Sequence, residues 1–169
     1  MADYANVARL LGQLHNANWQ NPDSAFGGAF RAWLQNFQRF GIPLGKRPGR
    51  GKKINYEKDD VFQLAFCLEM AEFGVDPALI ANLVKYYWKD DLSKIFVEQA
   101  ALADPTNPKR DIWFCFSPNV MSIGWGINAD PAKPLLHFWL SSPEIIEKQI
   151  IFEKHGYAGR FAVINASIL

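Results

Sequence analysis

Residues 42 to 56 read IPLGKRPGRGKKINY, and no helix can accommodate this segment. Pro43 and Pro48 lack the amide donor a helix needs, and Gly45, Gly49 and Gly51 weaken it further. Yet strong helical patterns flank it on both sides. Upstream, Phe26, Phe30, Trp33, Leu34, Phe37 and Phe40 fall at spacings of 4, 3, 1, 3 and 3, which is one apolar stripe of a helix. That helix is predicted to start at a cap on Asp23 or Ser24 and to stop at Gly41. Downstream, Val61, Phe62, Leu64, Phe66, Leu68 and Phe73 are apolar on most sides of a helix over about 57–73, the mark of a buried central helix. Gly74 stops it. The intervening segment is then expected to form two short strands around a PGRG turn.

Charge singles out the same region. From Ala25 to Tyr56 there are seven basic residues and no acid. Residues 1–56 hold eight Lys/Arg against two acids, and residues 57–169 hold ten against fifteen, so a net charge of +1 conceals a basic first part and an acidic remainder. An acid-free basic field suits a polyanion.

The rest of the chain fills in the frame. Asp3 is expected to cap a first helix over about 4–16, with Val7, Leu10, Leu11 and Leu14 on one face. An Asn-rich loop follows, from Asn16 to Pro22. Asp76 caps a helix over about 77–89, with Pro77 at its first position and Leu79, Ile80, Leu83, Val84 and Tyr87 apolar. A further helix over about 91–103 is predicted after an Asp90-Asp91 cap. ADPTNPKR, residues 103–110, reads as a linker. Beyond it Ile112–Phe116, Met121–Ile127, Leu135–Leu140 and Phe161–Ile168 read as strands, and Ser142–Lys154 as a helix. The fold class expected is mainly α with small β (α+β), in two domains: residues 1–103 with the helices, and residues 110–169 as a small α+β unit.

Helix, loop, helix, basic two-stranded loop, helix is the order of a winged helix-turn-helix. Its second helix enters the major groove of DNA while the wing lies on the neighbouring backbone or minor groove. Here the face opposite the apolar stripe carries Ser24, Gly28, Arg31, Gln35 and Arg39. GIPLGKRPGRGKKINYEKDDVFQLAFCLEMAEFGVDPALIANLV resembles the DNA-binding module of MerR-type regulators. In that family the recognition helix ends at a Gly, a basic wing closes on a Tyr, and an Asp/Leu-rich helix then turns at a Gly into one more helix. Tyr56, Asp60, Leu64, Leu68, Phe73-Gly74 and Ile80 fall where this pattern wants them, and the resemblance covers about residues 24–89. It implies DNA contacts from Ser24, Arg31, Gln35 and Arg39 on the helix and from Lys46, Arg47, Arg50, Lys52 and Lys53 on the wing. The chain departs from the family in its additional N-terminal helix. It also lacks the family's long C-terminal coiled coil and its metal-binding Cys spacing.

Catalytic and metal chemistry find little support. His15, His137 and His155 are scattered, with no Cys, Asp or second His at ligand spacing. Gly49-Arg50-Gly51 and Gly124-Trp125-Gly126 read as turn or strand glycines, and Ser117 and Ser122 lack a nucleophile context. Glu69 and Glu72 share a helix face and suit a structural salt bridge or a solvated edge. Cys67 and Cys115 sit in apolar runs and read as buried free thiols, in keeping with a reducing compartment. Trp113, Phe114, Trp125, Phe138 and Trp139 read as sheet core or a dimer face. No enzyme activity, cofactor or metal is expected, and no segment reads as a membrane span or secretion signal.

The expectation is a sequence-specific double-stranded DNA-binding transcription regulator, cytoplasmic and nucleoid-associated. The apolar terminal strand suggests a homodimer through the C-terminal region, with a protein partner in the transcription machinery as a further role for the tail. The alternatives are an architectural or excisionase-like recombination factor, a protein-interaction adaptor with a winged-helix fold, and an enzyme acting on nucleic acid.

Overall fold

The computed structural model describes residues 2–15, 25–46, 54–99, 111, 113–116, 138–142 and 162–165. Helix predominates among them, with one small antiparallel sheet. The chain divides into two compact units, Met1–Lys85 and Tyr86–Leu169. The expected linker at 103–110 lies outside the described residues, and residues 86–99 group with the second unit.

Among the described residues, three helices lie within the first unit and a fourth begins in it and ends just past Lys85. Helix α1 (Tyr4–Leu14) is capped by Asp3, whose carboxylate accepts from the Asn6 N–H at 2.9 Å. Val7, Ala8 and Leu11 are buried, whereas Leu10, expected on the same face, is 54% exposed. Helix α2 (Ala25–Arg39) buries Phe30, Leu34 and Phe37. Trp33 lies at the edge of that stripe, 36% exposed, with its ring stacked on Phe37 at 5.9 Å. Helix α3 (Lys58–Glu72) is the central one: Phe62, Leu64, Ala65, Phe66, Cys67, Leu68 and Met70 are all buried. Helix α4 (Pro77–Tyr87) starts on Asp76, whose Oδ1 accepts from the N–H groups of Ala78 and Leu79 at 2.9 and 3.1 Å.

Two glycines end helices in the same way. After α2, the Gly41 N–H donates to Gln38 O and the Ile42 N–H to Phe37 O, both at 3.0 Å. After α3, Gly74 donates to Ala71 O and Val75 to Met70 O, at 2.9 and 3.2 Å. Each is a Schellman stop, in which two otherwise orphaned carbonyls are satisfied by a turn through the left-handed region. Gly41 and Gly74 adopt φ of 83° and 77°, a conformation that a Cβ penalises. In both cases the residue after the glycine, Ile42 or Val75, is buried, as is its partner Phe37 or Met70.

The second unit opens on a departure from expectation. No new helix starts at Asp90-Asp91. The chain stays helical past Tyr87 through two π-helical stretches, Trp88–Leu92 and Lys94–Gln99, so these acids lie inside the run and cap nothing. Trp88, Leu92, Ile95 and Phe96 are buried. The sheet has the order β2-β1-β3, from β1 (Trp113–Phe116), β2 (Phe138–Ser141) and β3 (Ala162–Asn165). Both pairings are antiparallel, with Phe114 opposite Leu140 on one side and Ile164 on the other. Phe114 and Phe116 share a face of the sheet, their rings 5.7 Å apart, and Phe96 packs on Phe114 at 5.6 Å. Trp88 in turn stacks on Phe96, giving this unit an aromatic core. The expected strand over Met121–Ile127 and helix over Ser142–Lys154 fall outside the described residues but for Ser142, as do the ends of the final strand.

Candidate nucleic-acid interface

Burial divides α2 cleanly. Phe30, Leu34 and Phe37 point inward, and the opposite side exposes Gly28, Ala29, Ala32, Gln35 and Arg39. Arg31 is half-buried, and its charge acts on Tyr4 of α1. Burial pushes the Tyr4 phenol above its ordinary value, and Arg31 opposes that shift. The outward face of α2 therefore presents an amide and a guanidinium, with small residues towards its N-terminal half. That composition lets a helix backbone come close to a ligand while leaving donors to reach it.

The segment after α2 differs in detail from the expected strand pair. Lys46 N–H donates to Pro43 O at 3.1 Å, closing a turn with Gly45 at its third position and φ of 77°. A positive φ at that position belongs to a type II turn, which explains the glycine. The Ile42–Pro43 peptide is cis. On the far side of the loop, Tyr56 forms an isolated antiparallel bridge with Ala2. The backbone bonds of Tyr56 thus go to the residue before α1, with N–H to Ala2 O at 2.8 Å and Ala2 N–H to Tyr56 O at 2.9 Å.

Polar side chains then fix both ends of the loop to the helices. Gln63, 2% exposed on α3, accepts from the Leu44 N–H at 2.7 Å and donates to Asp59 at 2.7 Å. Asp60, 5% exposed, accepts from the Glu57 N–H at 2.7 Å and from the Lys46 ammonium at 2.5 Å. Lys46 also donates to the carbonyl of Asn55 at 2.7 Å, across the base of the loop. Gln38 of α2 donates to the Tyr56 hydroxyl at 2.8 Å. Burial raises the Tyr56 phenol above its ordinary value, the Gln38 bond lowers it, and the charge of Asp60 adds to the rise.

Gln35 and Arg39 thus stand exposed on one helix face, with Arg31 at its edge. Lys46 differs from the others: its ammonium is engaged by Asp60 and by the Asn55 carbonyl, on a side chain 26% exposed. Ser24, Arg47, Arg50, Lys52 and Lys53 lie outside the described residues. Asp60 and Gln63 do most to shape this region, and sequence reasoning gave neither of them a role at the loop. The signal was present: two polar residues one turn apart on an otherwise buried helix must find partners.

Elsewhere in this unit, His15 Nδ1 lies 2.8 Å from Glu72 and 3.8 Å from Glu69, joining the end of α1 to α3. Burial raises the Glu69 carboxyl above its ordinary value, His15 lowers it, and Glu72 adds to the rise. Cys67 and Cys115 are free and buried. Burial pushes the Cys115 thiol up to about 11 and raises that of Cys67 as well, so neither is poised as a thiolate. Among the described residues no three His, Cys, Asp or Glu side chains form a group that could hold a metal ion, and no helix is long and apolar enough to cross a membrane. Comparison with protein-family models, with curated proteins and with solved structures finds no match.

Proposed function

We propose that the first unit binds double-stranded DNA as a winged-helix-type module of a transcription regulator. Helix α2 enters the major groove and the basic loop after it rests on the flanking backbone or minor groove. One observation carries this reading. The exposed, acid-free face of α2, with Gln35 and Arg39, runs directly into a loop whose two ends are tied to α2 and α3, and whose tip, residues 47–53, carries four cations and no acid. Arg and Gln suit bidentate contacts to guanine and adenine edges, while Arg and Lys on a glycine-containing loop suit phosphates. The resemblance to MerR-type modules agrees with this division of labour. The second unit, with eight Lys/Arg against nine acids, has no basic excess for DNA and supplies self-association or a protein contact, which brings two modules to paired half-sites.

Titration of a labelled duplex at several salt concentrations tests the proposal. Four phosphate contacts from the tip give log K a slope against log[salt] of about −3.6 per subunit, and Arg50→Ala reduces it by about 0.9 while weakening all sequences alike. Gln35→Ala changes base preference at one or two positions, at a cost of about 1–3 kcal/mol for the preferred site. Binding that ignores salt overturns the reading.

A further inference from the structure

The Lys46–Asp60 pair is out of place on stability grounds. Asp60 lies on the most buried helix of the unit with its side chain 7% exposed, while the Lys46 side chain is 26% exposed, so the burial falls mainly on the carboxylate. A buried ion pair usually stabilises a fold less than apolar residues of the same size, because both charges must leave water. Its reliable effect is geometric, since removal of either partner strands the other. This pair sits at the base of the most basic loop in the chain. Its cation reaches across to the Asn55 carbonyl, so one ammonium ties together the outgoing end of the loop, the returning end and α3.

We infer that Lys46 and Asp60 are positioning residues of the DNA-binding surface: their pair holds the ends of the basic loop together beside α2, and Lys46 itself contacts no phosphate. This rests on the DNA-binding reading above and deepens it. Lys46 cannot swing out to a phosphate without abandoning a buried carboxylate. On this assignment the phosphate contacts fall to Arg47, Arg50, Lys52 and Lys53, and Lys46 acts at the base of the loop without meeting the ligand. Gln63 and Gln38 act beside the pair, holding Leu44 and Tyr56 by neutral bonds that leave the charge balance untouched.

The test uses the full chain and two readouts. Asp60→Asn keeps an acceptor for the Glu57 N–H and removes the charge that holds Lys46; Lys46→Met removes the cation. In anisotropy titrations on a mixed-sequence duplex, both variants are expected to bind about five- to tenfold more weakly, with the salt slope within about 0.3 of wild type. A slope reduced by about 0.9 in Lys46→Met, matching Arg50→Ala, shows Lys46 to be a phosphate ligand and overturns the inference. Unchanged affinity in both variants overturns it too. The second readout needs no DNA: in brief trypsin digestion, cleavage after Arg50, Lys52 and Lys53 is expected to accelerate about tenfold in Asp60→Asn, with cleavage after Lys85 in α4 unchanged. Unchanged loop cleavage, or equal acceleration at both places, removes the positioning role. If the wild-type chain binds no duplex at any salt concentration, the DNA-binding reading fails, and digestion alone decides whether the pair holds the loop.

Discussion

The same helix stop occurs twice in the first unit, and the chain leaves the two stops by entirely different routes. After Gly74 it needs only Val75 and Asp76 before α4 begins, because Asp76 caps the new helix with its own carboxylate and Pro77 fits its first turn. After Gly41 it makes a second turn at Gly45 and departs into a loop that returns only at Asn55 and Tyr56. The first exit is closed by neighbours in sequence. The second is closed by pairs far apart in sequence: Leu44 with Gln63, Lys46 with Asp60, and Tyr56 with Gln38 and Ala2. A helix end can be specified locally, but a loop base whose ends are far apart in sequence has to be specified by the element it packs on.

The contrast between the two exits can be broken at several points. The largest effect is expected at the buried apolar residue whose carbonyl accepts in each stop. Phe37→Ala empties a fully buried ring site and should cost about 3–5 kcal/mol; Met70→Ala, also buried, should cost about 2–5 kcal/mol. Urea denaturation of both variants measures this, and a cost below about 1 kcal/mol at either site would remove the apolar half of the stop. Next come the glycines. Neither has an atom within 4 Å of where a Cβ would sit, so Gly41→Ala and Gly74→Ala isolate the backbone penalty. Each should lose about 1–2 kcal/mol, and nearly the same amount. Only Gly41→Ala should also weaken duplex binding, and equal weakening by Gly74→Ala would erase the functional distinction between the exits.

A smaller loss is expected from Asp76→Ala, about 1 kcal/mol, since one capping oxygen serves two N–H groups. Circular dichroism melts of this variant should show the loss with duplex affinity intact. The smallest effect lies in the last turn of α3. The folded Glu69 carboxyl is raised by burial, so its protonated form is the one the fold favours. Its contribution is fully present below the unfolded carboxyl range and is lost as pH rises through the folded value. Glu69→Gln should therefore match wild type in acid and gain stability at neutral pH, by less than about 1 kcal/mol given its partial exposure. A variant less stable than wild type at neutral pH would mean that attraction to His15 outweighs desolvation.

Legibility in the sequence divides along the same line between local and distant closure. Helices α1 to α4 and both glycine stops were readable because periodicity, Asp3, Asp76 and Pro77 are local signals. The mainly helical character with a small sheet was readable too, down to Trp113–Phe116 as a strand. Asp90-Asp91 misled because an acidic pair inside a continuing helix looks like a cap when the hydrogen-bonding pattern is unknown. The bond between Lys46 and Asp60 was not legible, because charge on a loop looks like surface until its partner is seen, and Asp60 is fourteen residues away. Tyr56 marked the end of the loop correctly, but its pairing with Ala2 carries no signal at either residue. Leu10 and Trp33 belong to apolar stripes by spacing, yet the width of the buried face is set by the neighbouring helices.

The Lys46 bond to the Asn55 carbonyl has an evolutionary consequence. The ends of the loop are joined to each other and to α3 through Leu44, Lys46 and Asn55, so this closure does not depend on the length of the segment between them. Lengthening a closed loop costs little, about 0.6 kcal/mol for each doubling. Insertions, deletions and new cations can accumulate between positions 47 and 54 without disturbing the scaffold, whereas changes at positions 46 and 60 must occur together. Among lineages that share this scaffold, the tip should diverge fastest and these two positions should vary as a couple.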